Sequence, residues 1–136
     1  MSVQYKRRLF TVAEYHRMIN AGILKEEDRV ELIDGEIITM PPIGPHHASN
    51  VDRLNSLFYS NLRDTIIVRV QSPIILNDYS EPEPDITILK YRADFYKNEH
   101  PKSEDVLLIV EISESSIEYD RSYKIPKYAQ SNIIEA

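Results

Sequence analysis

The sequence predicts one α/β domain of the α+β type, in which helices flank a central mixed β-sheet. Apolar residues recur at helical spacing in some segments, and in others they alternate with polar residues or run without interruption. No internal repeat is present, and a chain of 136 residues with 42% hydrophobic content can close one core but not two. Residues 1–136 are therefore expected to form a single domain.

The first predicted elements are a short helix and a hairpin. Thr11 is followed three positions later by Glu14, which is the capping-box arrangement of a helix start, and Gly22 can supply the left-handed cap at the other end. From Arg29 to Met40, apolar and polar residues then alternate on either side of Asp34-Gly35. Two residues of this kind between short strands specify a tight hairpin turn.

A second helix, several strands and a last helix follow. Apolar residues recur at helical spacing from His46 to Leu62, and a final helix is predicted over residues 119–130. Extended segments are predicted at residues 66–70, 73–76, 85–89 and 106–112. The last of these is apolar almost throughout, so we expect it to be buried on both faces.

Composition limits the kind of metal site and the cellular setting. The chain has no cysteine, so a metal ion must be held by carboxylate, carbonyl, imidazole or water, which favours Mg²⁺ or Mn²⁺. The apolar stretches are far shorter than the roughly 20 residues of a membrane span, and the basic N-terminus lacks the apolar region of a signal peptide. A soluble cytoplasmic protein is the expectation.

The net charge of −6 opposes indiscriminate binding to a polyanion such as nucleic acid. Nucleic acid is not thereby excluded as a partner. A nuclease can be acidic overall if its carboxylates hold metal ions and its basic residues line the approach to them.

Two acidic residues stand at strand ends. Asp85 opens one predicted strand directly after Pro84, and Glu111 closes the apolar run of the next. If the two strands are neighbours, their carboxylates can converge on one hard cation, with water completing its coordination. The alternative is that each acid is a turn residue or a salt-bridge partner.

The last predicted helix adds a third group. Asp120, Lys124 and Tyr128 are spaced four apart and share one face of a helix, which could point toward the strand end with Glu111. A lysine near metal-bound water can position that water or stabilise charge on a phosphate oxygen. The alternative is an exposed Asp120–Lys124 pair worth a few tenths of a kcal/mol.

Several separate motifs carry a resemblance to a known family. They are Val30–Glu36, Pro42–His47, Ser80–Asp85, Val110–Ser113, and the run from Tyr119 and Asp120 through Lys124 to Tyr128. In residues, order and spacing they resemble the Uma-two family of restriction-endonuclease-like proteins, in the PD-(D/E)XK nuclease superfamily. The similarity covers almost the whole chain, so the resemblance implies a restriction-endonuclease-like core.

The resemblance also implies an activity and its residues. It makes Asp85 the first acid and Glu111 the second acid of a Mg²⁺ (or Mn²⁺) site, in an endonuclease acting on nucleic acid, DNA more than RNA. Ser113 stands where the superfamily usually has lysine, which would make Lys124 the counterpart of that lysine. The other function class is a catalytically inactive binding or assembly module that keeps the fold and the acidic pocket.

Three more residues receive possible roles from the resemblance. Glu31 could be a third carboxylate at the metal or an anchor of the site, His47 a polar group facing the cleft, and Gln71 a strand residue beside it. Each also has a structural explanation. Glu31 could pair with a basic neighbour, and His47 could begin its helix.

The end of the chain suggests a missing sheet edge. Members of the family usually continue beyond a helix like the last one into a further strand and hairpin, so the core looks shortened at its C-terminus. The apolar residues Ile125, Tyr128 and Ile133 would then lack cover. We therefore expect a symmetric homodimer in which sheet edges or these helices meet.

Overall fold

The computed structural model describes residues 4–113 and 124–131. Its helices are α1 (Val12–Asn20), α2 (Pro45–Leu62) and α3 (Ile125–Gln130). Its strands are β1 (Val30–Ile33), β2 (Glu36–Thr39), β3 (Ile66–Val70), β4 (Ile86–Lys90) and β5 (Val106–Val110), with short 3₁₀ turns at Glu26–Asp28 and Ser103–Asp105. This mixture of helices and antiparallel sheets confirms the predicted α+β class and is consistent with a restriction-endonuclease-like fold.

Helix α1 has both predicted ends. The Thr11 hydroxyl accepts from the Glu14 backbone N–H, and the Glu14 side chain accepts from the Thr11 N–H, so two donors at the helix start are satisfied. After the helix, Gly22 adopts φ +77°, a backbone conformation that favours glycine. The boundaries of α1 are therefore encoded locally.

Strands β1 and β2 form the predicted hairpin. Ile33 pairs with Glu36, and the two residues between them, Asp34 and Gly35, both have positive φ angles, as a type I′ turn requires. A Cβ at Gly35 would lie 2.6 Å from the Cβ of Leu9, so the turn also needs glycine for close packing. The hairpin is joined to the rest of the domain by a bridge between Leu32 and Glu81.

The second sheet is three-stranded, in the order β3-β4-β5, and every pair is antiparallel. The described strands thus form two antiparallel sheets instead of the expected single mixed sheet. Within the described residues, the parallel contact that does occur is an isolated bridge between Ile75 and Lys102. The predicted extended segment 73–76 is held through this bridge and does not form a strand of its own.

Apolar residues cover both faces of the three-stranded sheet. On one face, Val51, Leu54 and Phe58 of α2 pack against the strands. The other face contributes to a cluster of buried side chains around α3: Ile67, Ile74, Leu76, Leu89, Tyr96, Val106, Ile109 and Tyr128. The strands thus separate the two helices and leave the strand ends available to polar residues.

Two expectations about burial are wrong. Leu107 on β5 is 39% exposed because it lies at a bulge, where β5 has one residue more than β4 between the pairs Leu89–Val106 and Ile88–Leu108. By contrast, β4 at the centre of this sheet is buried at four of five positions. Tyr128 is fully buried and Ile125 packs against the same cluster, so these α3 side chains are covered within the chain. Ile133 lies outside the described residues.

Of the helices in the described ranges, none has the length and apolar content that crossing a membrane requires.

Candidate active site

Asp85 and Glu111 lie opposite each other at the ends of neighbouring strands. The last paired residues are Ile86 on β4 and Val110 on β5. Because the strands are antiparallel, the next position on each strand brings Asp85 across from Glu111, on the same face of the sheet. The neighbouring strands that a shared metal ion requires are therefore present.

Two hydrogen bonds hold the Asp85 carboxylate. Its Oδ2 accepts from the backbone N–H of Ile112 at 2.7 Å, and its Oδ1 lies 2.8 Å from Nε2 of His47. His47 is in the first turn of α2, which begins at Pro45, a residue whose fixed φ suits that position. The Asp85 side chain is 13% exposed, so solvent and small ligands can reach it.

Glu111 belongs to a buried ionic network. Its Oε1 accepts from the Tyr128 hydroxyl at 2.6 Å and lies 2.9 Å from the Lys124 Nζ. The same Nζ is 3.1 Å from Oε1 of Glu31. Lys124 and Tyr128 are one helical turn apart, and both side chains reach the strand end with Glu111.

The hairpin brings Glu31 into this network. Leu32 exchanges two backbone hydrogen bonds with Glu81, which places β1 beside the segment leading to β4. Glu31 is 1% exposed, and its Oε1 also accepts from the Glu83 backbone N–H at 3.1 Å. Glu31 therefore ties the hairpin, the acidic segment and α3 together.

Burial and charge set the protonation of this network. Burial raises the pKa of Glu111 to about 7, against the lowering effect of Lys124 and Tyr128, while the charge of Asp85 raises it further. Burial by itself lowers the pKa of Lys124, but Glu111 and Glu31 outweigh it, so the pKa of Lys124 lies above its usual value. Lys124 thus stays charged and acts as counter-ion to the acids.

A cleft of about 360 Å³ opens beside Asp85. Gln71 and Glu83 line it together with Asp85, and the basic residues Lys25 and Arg29 line it as well. Gln71 has a positive φ of 48°, and its backbone N–H donates to the Asp85 carbonyl at 3.0 Å. The cleft therefore offers acidic and basic groups to a common space.

The structure places most of the predicted site residues near one another, but in two separate groups. Glu111, Lys124, Glu31 and Tyr128 form the buried network, whereas Asp85 meets His47 and faces the cleft with Gln71. Asp120 lies outside the described residues.

Sequence reasoning assigned no role to Glu83 and Arg29. Burial and the charge of Glu31 raise the pKa of Glu83 to about 7, and Arg29 opposes that rise. The buried Nε of Arg29 has no hydrogen-bond partner among the described residues. Alternation could have revealed Glu83, because residues two apart in an extended segment share a face and Glu83 is two residues before Asp85. No comparable pattern in the sequence points to Arg29.

The donor set fits a hard divalent cation. Mg²⁺ and Mn²⁺ prefer carboxylate oxygens and retain several waters. Asp85 and Glu111 supply two carboxylates at neighbouring strand ends, and Asp85 lines the cleft. Tyr128 and Lys124 both contact Oε1 of Glu111, so the Glu111 carboxylate is held in a fixed position.

Comparison with known proteins identifies one matching family. The family model Uma2, described as "Putative restriction endonuclease", matches residues 12–136. The match includes every residue of the buried network and of the cleft described above. The comparison with curated protein sequences gave no match.

Proposed function

Because the chain belongs to the Uma2 family of restriction-endonuclease-like proteins, we propose that it is a metal-dependent endonuclease that hydrolyses phosphodiester bonds, in DNA more readily than in RNA. The observation that carries this proposal is the convergence of two strand-end acids with a buried lysine from α3. Asp85 and Glu111 would hold Mg²⁺ or Mn²⁺. The bound ion supplies a more acidic water and neutralises charge on the phosphate.

Lys124 contributes a positive charge that does not depend on the metal. An ammonium group has three N–H donors. Two of them serve Glu111 and Glu31, at 2.9 and 3.1 Å, and the third can orient the attacking water or a phosphate oxygen. Glu31 and Tyr128 keep the amine and the Glu111 carboxylate in place, so they act as positioning residues.

Glu83 and Arg29 extend the proposal into the cleft. A carboxyl group with a pKa of about 7 can accept and return a proton at neutral pH, and Glu83 lines the same cleft as Asp85. Glu83 would take the proton of the attacking water. Arg29 would contact a phosphate of the substrate, since guanidinium groups form paired hydrogen bonds with phosphate oxygens.

A cleavage assay with matched variants tests the proposal. Supercoiled plasmid, linear duplex, single-stranded DNA and RNA are incubated with Mg²⁺, with Mn²⁺ or with EDTA. We expect metal-dependent cleavage that falls at least about hundredfold in Asp85→Asn and Glu111→Gln. Lys127→Met is the control, because Lys127 is on the same helix but pairs with Asp34 near the surface.

Two outcomes would contradict the proposal. Equal cleavage by wild type and Asp85→Asn would assign the activity to a contaminant. Absence of cleavage on all four substrates, together with tight nucleic-acid binding, would instead favour the inactive binding module. Calorimetric titration with Mg²⁺ separates these cases from a misfolded preparation, since a folded site still binds the ion.

A further inference from the structure

A second group of potential metal ligands lies apart from the acids of the proposed nuclease site. His16, Glu81 and His100 bring their side chains together so that one ligand atom from each lies within 4.8 Å of the others. The Nε2 of His16 hydrogen-bonds to Oε1 of Glu81, and the two imidazole rings meet edge to face at 6.1 Å. We propose that these three residues form a binding site for a divalent transition-metal ion of the zinc type.

Each ligand is supplied by a different part of the chain and is held there by local structure. His16 is on α1, whose position is set by the buried Tyr15 and its hydroxyl bond to the Val30 carbonyl. Glu81 is fixed by the two backbone hydrogen bonds with Leu32 described above. The three side chains therefore converge through the tertiary fold and not through sequence proximity.

The third ligand, His100, is held by the backbone of the residue that follows it. His100 precedes the buried Pro101, whose carbonyl accepts from the Ile75 N–H at 2.8 Å. The His16 side chain is 38% exposed and His100 is partly exposed, so both rings can adjust. Ligands of one tetrahedral zinc ion are about 3.3 Å apart, which small side-chain rotations can reach from the observed spacing.

The ligand types select the class of ion. Imidazole nitrogen suits zinc, copper, iron and nickel, whereas Mg²⁺ prefers oxygen ligands and water. Two histidines and one carboxylate are a set found in zinc sites that keep one coordination position open. The cluster is thus chemically distinct from the pair Asp85 and Glu111, and zinc-type ions should prefer it.

The burial of Glu81 and the cavity beside the cluster also support the proposed metal site. Glu81 is 3% exposed, and a buried carboxylate is costly unless a cation or strong donors compensate it. A hydrogen bond from His16 explains two of the three residues but gives no reason for the position of His100. The cluster lines a cavity of about 270 Å³, which has room for water or a substrate group at the open position. Glu83 lines both this cavity and the cleft beside Asp85.

Zinc binding to the metal-free protein tests the proposal without relying on activity. Zn²⁺ is titrated calorimetrically, with a chromogenic chelator as competitor, into wild type and variants whose folding is checked by circular dichroism. We expect one zinc-type site per chain, with affinity lower by at least about tenfold in His100→Asn and in Glu81→Gln. Co²⁺ bound to wild type should show the visible absorption of a four- or five-coordinate ion.

Two control variants locate the site. His46→Asn removes an exposed histidine of α2, and Asp85→Asn removes a ligand of the proposed nuclease site; both should retain zinc affinity within about twofold. Absence of zinc binding at micromolar concentration, or unchanged affinity in His100→Asn, would overturn the proposal. So would loss of binding in Asp85→Asn alone. If Glu81→Gln fails to fold, His100→Asn decides, because that side chain is partly exposed.

Discussion

Replacing Lys124 with methionine tests the buried network most directly. Methionine keeps much of the side-chain volume but removes the charge, so Glu31 and Glu111 lose their shared counter-ion. The side chains of Lys124, Glu31 and Glu111 are 4%, 1% and 6% exposed, so solvent would compensate the remaining carboxylates poorly once the ammonium is removed. We expect a large loss of stability.

The magnitude follows from this burial. Removing one partner of a buried ion pair costs about 3–5 kcal/mol, because it leaves an uncompensated charge. A solvent-exposed pair on a helix is worth only about 0.3–0.5 kcal/mol. A domain of this size is stable by about 5–15 kcal/mol, so the expected loss is a large share of the total.

Urea unfolding followed by circular dichroism measures the effect. Lys127→Met on the same helix is the matched control and should lose less than about 1 kcal/mol, since the Lys127 and Asp34 side chains are 21% and 48% exposed. Adding Glu111→Gln to Lys124→Met should restore part of the stability, because one of the two unpaired charges is removed. If Lys124→Met changes the free energy of unfolding no more than Lys127→Met does, Lys124 is not the counter-ion that stabilises Glu31 and Glu111.

Three further predictions concern the acids. Asp85→Asn should abolish Mg²⁺ binding in calorimetry; its amide can keep both hydrogen bonds, so a stability loss above about 2 kcal/mol would make Asp85 a structural partner instead. The pKa of Glu111 is raised from 4.5 to about 7, so the folded state binds the extra proton and the stability from this group is lost as pH rises through about 7. Urea midpoints from pH 4.5 to 8 should show this slope, and Glu111→Gln should make it shallower, with Glu83 contributing part of what remains because its pKa is also raised to about 7. Glu83→Gln should lower the cleavage rate about 10²–10⁴-fold with little change in Mg²⁺ affinity, and an unchanged rate would remove Glu83 from the proton transfer.

Local sequence signals determined much of the fold. The capping box of α1 and the Asp34-Gly35 turn each depend on residues within a few positions of one another, so their physics can be read without knowledge of the rest of the chain. The spacing of apolar residues likewise located α2 and the strands. The Asp85 and Glu111 pair needed one more condition, that β4 and β5 be neighbours, and the sheet order meets it.

Tertiary structure decided what surrounds the acids. The contact of Lys124 with Glu31 joins the last helix to the first hairpin, and no local pattern encodes a pairing over such a separation. The same holds for His16, Glu81 and His100, which lie on three separate segments. Electrostatic networks of this kind depend on which elements meet, and that choice is made by burial of the whole apolar surface.

Strand β5 also shows the difference between what the sequence determines and what the tertiary structure decides. Its run of apolar residues correctly predicts a strand, but the run is equally compatible with a central and an edge position. In the structure β4 occupies the centre of the sheet, and Leu107 lies at a bulge of β5, where it is 39% exposed. The sequence by itself thus determined which elements form and where the acids stand on them, whereas the tertiary structure decided which charges meet, because strand order and helix docking are properties of the whole chain.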